Sequence, residues 1–297
     1  MTLSAAPGLT QARLPSWRRI LRRAPVSFHI GAAILIVHAA VAVLGPWLAP
    51  YGISQMGNGI PLSGMSWAHP FGVDQLGRDI FSRVIHGSHI VLLLALSGTG
   101  LGVAIGSVIG LLSGYVGGWI DNIVQRLLEA VISIPFLVLA LLAIAAAGPQ
   151  LAGSPILVIL VVALVYAPRV ARMARAAAIE IATRDFVTVA RLRGEGAWSV
   201  MRREILPNAS SVLLVEFALR AGYAPVLIGS LGFLGFGMRP PTPEWGLMMA
   251  ENRALIIISP ITVIGPGLAL ASLVVGLNLF TDGLARLIGR TAPGNQA

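Results

Sequence analysis

The chain has 297 residues, 56% of them hydrophobic and 11% charged, with a mean hydropathy of +0.83 and a formal charge of +9. A soluble globular domain carries charge on about 25% of its residues, so this composition excludes that class and indicates a polytopic membrane protein. All 21 basic residues are arginine, and without lysine or cysteine the chain holds no Walker A lysine, pyridoxal Schiff base, catalytic thiolate or cysteine zinc site.

A hydrocarbon core about 30 Å thick takes roughly 20 apolar residues in helix. Residues 1–25 are a tail bearing Arg13, Arg18, Arg19, Arg22 and Arg23. The first apolar run, Val26 to Ala49, is longer than a signal-peptide core and ends at the poor cleavage site Ala49-Pro50, so it is expected to stay as a span. Residues 50–88 then form a segment outside the membrane in which Asp74, Arg78, Asp79 and Arg83 mix both signs; if helical, Asp79 and Arg83 are spaced to pair. The second run, Ile90 to Leu112, carries Gly98, Gly102, Gly106 and Gly110, and Gly114 continues the series. Recurring every four residues, these glycines make a shallow ridge along which a neighbouring backbone can come close. Gly117-Gly118 predicts a tight turn, with Trp119 at the interface, into the third run, Ile123 to Ala147. The fourth, Leu151 to Ala167, is the shortest and has Pro155 near its start. An arginine-rich island from residue 169 to 210 follows, then the fifth run, Val212 to Phe236, and the sixth, Leu255 to Phe280. Between the last two, Pro240, Pro241 and Pro243 stiffen the connection, and Trp245 offers an amphipathic ring to the interface. Residues 283–297 are a second tail.

Arginine placement sets the expected orientation. With six spans and the amino terminus inside, the cytoplasmic segments hold the five tail arginines, Arg126, eight from Arg169 to Arg203 and two after Phe280, sixteen in all. The opposite side holds Arg78, Arg83, Arg239 and Arg253, and Arg220 lies within the fifth span. This bias follows the positive-inside rule and puts both termini and the 169–210 loop in the cytoplasm. The net charge is thus a topology signal, and no nucleic-acid partner is expected. Intramembrane charge is sparse: Glu216 and Arg220 are spaced to neutralise each other, as are Arg126 and Glu129. His29 and His38 fall on opposite helix faces. His69, His86 and His89 lack the cysteine or second carboxylate that would complete a metal site, so none is expected.

Within the island, Thr188 to Asn208 reads T-V-A-R-L-R-G-E-G-A-W-S-V-M-R-R-E-I-L-P-N. It resembles the EAA loop of ABC importer permeases, in which Glu-Ala-Ala is followed by three residues, Gly, nine residues, an apolar residue, one more residue and Leu-Pro. Thr188, Val189 and Ala190 stand where Glu-Ala-Ala would, Gly194 is the glycine, and Leu206-Pro207 closes the motif. Thr188 replaces the acid and Glu204 occupies the apolar position. Two further blocks, His69 to Gly87 and Leu231 to Gly246, resemble the segments before the second span and after the fifth in permeases of the dipeptide, oligopeptide and nickel class.

The resemblance implies an all-α membrane protein of six transmembrane helices with the type I importer bundle at residues 89–282. Thr188, Val189, Ala190, Arg191, Leu192, Gly194, Leu206 and Pro207 are then its ATPase-coupling loop. It implies one half of a pore in the cytoplasmic (inner) membrane, with a second permease subunit, two cytoplasmic ATPase subunits and an extracytoplasmic solute-binding protein as partners. ATP and Mg would sit on the ATPase subunits, with no cofactor on this chain. Peptides, nickel or its chelate, glutathione and other small solutes all remain open as cargo. The competing reading, a secondary transporter or channel, usually brings intramembrane ionisable residues and an internal repeat, and leaves the Thr188 loop without a purpose.

Overall fold

A computed structural model describes residues 24–291; the five tail arginines lie outside that range. The chain forms α1 (Val26–Leu48), α2 (Ile80–Val116), α3 (Gly118–Ser133), α4 (Phe136–Ala147), α5 (Pro155–Ala182), α6 (Asp185–Leu192) and α7 (Ala197–Val200). A π-helical turn, Met201–Ile205, runs directly into α8 (Leu206–Phe233), and α9 (Trp245–Asn252), a 3₁₀ turn and α10 (Ile261–Thr291) complete the bundle. Among the described residues the only β pairing is an isolated bridge between Val73 and Asp79.

Among the described residues five helices are long and apolar enough to cross a membrane, and α3 with α4, a pair bent by 96°, makes six where the pair counts as one span. The third span expected from the sequence is therefore broken rather than straight. Pro135 lacks the amide hydrogen that a continuous helix needs and forces its predecessor out of helical geometry; Ile134 sits at φ −77°, ψ 128°. The fourth span is also longer than its apolar run, because α5 continues through Pro168 to Ala182. Val170, Ala171, Ala174, Ala177, Ala178 and Ile181 recur at helical spacing on its buried side, while Arg172 faces outward, so this half of the helix is amphipathic. The island expected from residue 169 thus begins as helix, and the chain first turns away at Thr183.

The centre of the bundle is α2 against α5, with α8 packed across both. Leu94, Val161, Val162, Leu227 and Ile228 join these three helices at mid-height. A second buried cluster lies at the end that carries Thr188, and a third, built around Ile80, Trp245, Met248 and Leu273, lies at the opposite end. The outlying helix is α1, which leans on α10 where Gly31 meets the backbone of Phe280 so closely that a Cβ there would stand 2.3 Å from its nitrogen.

Candidate functional site

The loop from Thr183 to Pro207 is a short two-sided helix held between two longer ones. In α6, Val187 and Ala190 are buried, three residues apart, against Leu111 of α2, Ala174, Ala178 and Ile181 of α5, Ile205 at the end of the π-turn and Ala209 beyond it. Phe186, Val189 and Leu192, also spaced by three, lie on the other side and are exposed, Leu192 to 82%. A lone eight-residue helix is marginal in water, so this packing is what keeps α6 folded.

Gly194 ends the helix. Its φ is +78°, the amide of Glu195 donates to the Ala190 carbonyl at 3.2 Å, and the amide of Gly194 donates to the Arg191 carbonyl at 2.9 Å. This is the Schellman arrangement, which needs a left-handed residue that glycine adopts at least cost. Among the described residues nothing lies within 4 Å of where a Gly194 Cβ would be, so the position is conformationally constrained but sterically open. The reversal leaves Trp198, 65% exposed, close in sequence to the α6 knobs.

Two contacts tie the loop end to the spans. Arg191 donates from Nε to the Tyr115 hydroxyl at 3.2 Å and lays its guanidinium 4.7 Å above the same ring, at the last turn of α2. Arg175 of α5 grips Asp121 in the first turn of α3, with Nε 2.7 Å from Oδ1 and Nη2 2.5 Å from Oδ2. Neither contact was visible as a motif, since the partners are 76 and 54 residues apart in the chain.

The two departures from the EAA pattern have different fates. Thr188 is exposed on α6. Glu204 is only half-buried, and Ile205 occupies the fully buried place instead. The π-turn accounts for this, because one residue wound into a wider turn shifts the inward face of the helix by about one position. Leu206 and Pro207, both exposed, then open α8, the proline within its first turn where no helical hydrogen bond is lost.

Residues 106–292 match the family described as binding-protein-dependent transport system inner membrane component. The chain is 35% identical over 260 residues to the di/tripeptide transport system permease protein DppC of Pseudomonas aeruginosa (strain UCBPP-PA14), covering 86% of this chain and 84% of that one. It is 38% identical over 269 residues to the glutathione transport system permease protein GsiD of Shigella flexneri serotype 5b (strain 8401), covering 90% and 87%. The GsiD of Escherichia coli O6:K15:H31 (strain 536 / UPEC) is 37% identical over the same length. The chain belongs to this permease family. It is a membrane-embedded transport subunit of an ABC importer, not an enzyme.

In this permease Gly98, Gly102, Gly106, Gly110 and Gly114 all face α5. A Cβ built on them would stand 2.7 Å from the Val162 side chain, 3.1 Å from the Ala163 backbone, and 2.5, 2.1 and 2.7 Å from the carbonyl oxygens of Ala167, Ala171 and Arg175 respectively. The ridge therefore joins two helices of one subunit, and for four of its five glycines the nearest neighbour is backbone.

At the opposite end, the His69–Gly87 block is clasped to α9 by charge. Arg78 donates from Nε to Asp74 Oδ2 at 2.6 Å, and Arg83 from Nη1 to the same oxygen at 3.2 Å. Both guanidinium groups also reach Oε2 of Glu251 on α9, each at 3.1 Å. The expected Asp79–Arg83 pair does not form. Asp79 is the N-cap of α2, its Oδ2 accepting the Ser82 amide at 2.7 Å and its Oδ1 held 2.9 Å from His69 Nδ1. The salt bridges among the described residues include Glu216–Arg220 but not Arg126–Glu129. No group of three or more metal-ligating side chains occurs among them, and His86 lies 3.4 Å from the Tyr51 carbonyl.

Trp245 is likewise not an interface residue. It is fully buried, donating from Nε1 to the Val84 carbonyl at 3.0 Å, because α9 folds back against α2. Gly87 makes the room, since a Cβ there would stand 2.2 Å from the Pro243 carbonyl. Glu244, also buried, caps α9 by accepting the amides of Gly246 and Leu247 at 2.7 and 2.8 Å. Burial pushes its carboxyl up to about 7, against the opposing pull of those two amides.

Proposed function

We propose that this permease forms one half of a pore for peptides or a related small solute such as glutathione, paired with a second permease subunit. In this reading one of two ATPase subunits, carrying ATP and Mg, docks on α6 and the other on the second permease, and an extracytoplasmic binding protein delivers solute at the end where Arg78, Arg83 and Glu251 meet. The Thr188 loop and both termini are cytoplasmic. Nickel or a nickel chelate stays within the cargo range that the outer blocks imply. The relatives' names support peptides and glutathione first, since one is a di/tripeptide and another a glutathione permease.

The observation that carries the proposal is the two-sided α6. A helix transmits motion only if one face is fixed to the moving spans and the other is free to engage a partner. Val187 and Ala190 fix one face, and Phe186, Val189 and Leu192 present apolar side chains to water on the other. Large apolar side chains held exposed on a short helix mark an interaction site. Alternating access then follows from nucleotide-dependent closure of the ATPases, which shifts the population between inward-open and outward-open arrangements.

The test uses Leu192→Glu and Gly194→Glu in the assembled importer. Both add a carboxylate to the docking face while leaving the buried stripe intact. Insertion should be normal, co-purified ATPase should fall at least tenfold, and solute-stimulated hydrolysis should fall with uptake. A complex that keeps its ATPases and wild-type uptake in both variants refutes docking at α6. Orientation is read separately: Ser199→Cys should label only from the cytoplasmic side, and Asn58→Cys and Thr242→Cys only from outside, against a background with no native cysteine.

A further inference from the structure

Halfway along α5 and α8, two 28-residue helices, stand Arg169 and Arg220. They line one cavity of about 160 Å³ together with Tyr166, Tyr223 and Phe136. Arg220 spends Nε and Nη2 on Oε2 of buried Glu216, at 3.1 and 2.9 Å. Arg169 has no carboxylate partner among the described residues; Nη1 donates only to the Val165 carbonyl of its own helix at 3.2 Å. The two guanidinium groups and Glu216 sum to one positive charge, and neither tyrosine hydroxyl has a hydrogen-bond partner among the described residues.

Arg169 follows the apolar run of the fourth span directly and Arg220 lies within the fifth; an unbalanced charge on a spanning helix cannot face lipid without a cost of several kcal/mol, so such arginines face a bundle interior or a watery path. Tyr223 is 55% exposed and Phe136 44%, so the cavity opens on the surface of this subunit rather than closing inside it. From these observations we infer that the α4–α5–α8 face lines the solute path and that Arg169 and Arg220, with the hydroxyls of Tyr166 and Tyr223, form a waystation for a carboxylate. The inference rests on the importer reading given above. The donors match a planar oxyanion, since guanidinium groups hold carboxylates through paired N–H···O bonds. The apolar walls of Phe136, Val226 and Leu227 suit an uncharged side chain next to that carboxylate, as at the end of a short peptide.

The chain's lack of cysteine permits a direct test. In the assembled importer, Tyr223→Cys is treated with an anionic and a cationic methanethiosulfonate, each rate corrected for its reaction with a free thiol in solution, and labelling is read from the mass of this subunit. One net positive charge within several ångströms at a watery site favours the anionic reagent by about tenfold. Adding Arg169→Gln should bring the two rates near parity, and Arg169→Lys should restore the bias. Dialanine should slow labelling at least threefold, while dialanine amide and inorganic phosphate should not. Equal rates with Arg169 present, equal protection by the amide, or no labelling at all overturns the inference, and better protection by phosphate than by dialanine overturns its carboxylate class. ATP-driven uptake is measured on the same preparation without the cysteine. Uptake without a charge preference at Tyr223→Cys rejects the waystation alone, whereas preference and protection without ATP-driven uptake reject the importer reading and leave the site.

Discussion

Substituting Gly110 by alanine tests whether α2 and α5 are locked backbone to backbone. The added Cβ would stand 2.1 Å from the Ala171 carbonyl oxygen and 2.8 Å from the Ala174 Cβ. Ordinary contact begins at 3.4 Å, so the helices must part by about 1.3 Å at that level. A carbonyl inside a helix cannot rotate away as a side chain would. Overpacking of this kind typically costs 1–3 kcal/mol, and the backbone obstacle puts Gly110→Ala at about 2–3 kcal/mol. Against this stands a gain of about 1 kcal/mol from alanine's higher helix propensity, leaving a net loss of about 1–2 kcal/mol. Gly100 is the control on the same helix. Its Cβ would meet only Phe217 Cε2, at 3.9 Å, so Gly100→Ala keeps the propensity gain without the clash. The assay is the thermal midpoint of the detergent-solubilised importer, followed by fluorescence-detected size exclusion. Gly110→Ala should lower it and Gly100→Ala should hold or raise it. Equal midpoints for the two variants would refute the backbone lock.

Removing Glu244's charge should change the pH response of the outer end. Its carboxyl is raised from 4.5 to about 7, so the protonated form favours the folded loop; stability is fullest below pH 4.5 and declines as pH rises to about 7. Glu244→Gln should flatten this decline, worth up to about 3 kcal/mol, as read by hydrogen exchange of α9 amides between pH 5 and 8. Asp121→Asn should cost about 1–3 kcal/mol by weakening the grip of Arg175 on α3, seen as faster proteolysis near Gly117-Gly118. At position 194, alanine rather than glutamate should cost only about 1 kcal/mol in local stability, because the left-handed φ is the sole obstacle, and should leave ATPase co-purification within twofold.

The spans were legible because unbroken apolar runs have few alternatives, and the glycine ridge because a four-residue repeat holds to one helix face. The partner of that ridge was not legible, as nothing in residues 98–114 distinguishes a helix of the same chain from one of another subunit. The bend at Pro135 was written in the sequence but hidden by the uniform apolarity on both sides. Counting charge misplaced the start of the island, since arginines on one face of α5 do not stop the other face from packing. Met201–Ile205 reads as ordinary helix-forming sequence, so only the backbone reveals the π-turn that carries Ile205 inward. The residues proposed for coupling stand out through spacing and the resemblance. The Arg191–Tyr115 and Arg175–Asp121 contacts were not, because no local pattern connects residues so far apart.

The clasp formed by Arg78, Arg83, Asp74 and Glu251 bears on how the subunit is made. Glu251 lies 173 residues beyond Arg78, so while ribosomes are still synthesising the middle of the chain one carboxylate must serve two guanidinium groups. Arg83 is fully buried in the finished protein, and two of its nitrogens have no hydrogen-bond partner there among the described residues. Dehydrating it before Glu251 arrives would leave a charge uncompensated in a low-dielectric setting, which is strongly unfavourable. Full burial of this cluster is therefore expected only once α9 has been made and delivers the missing carboxylate.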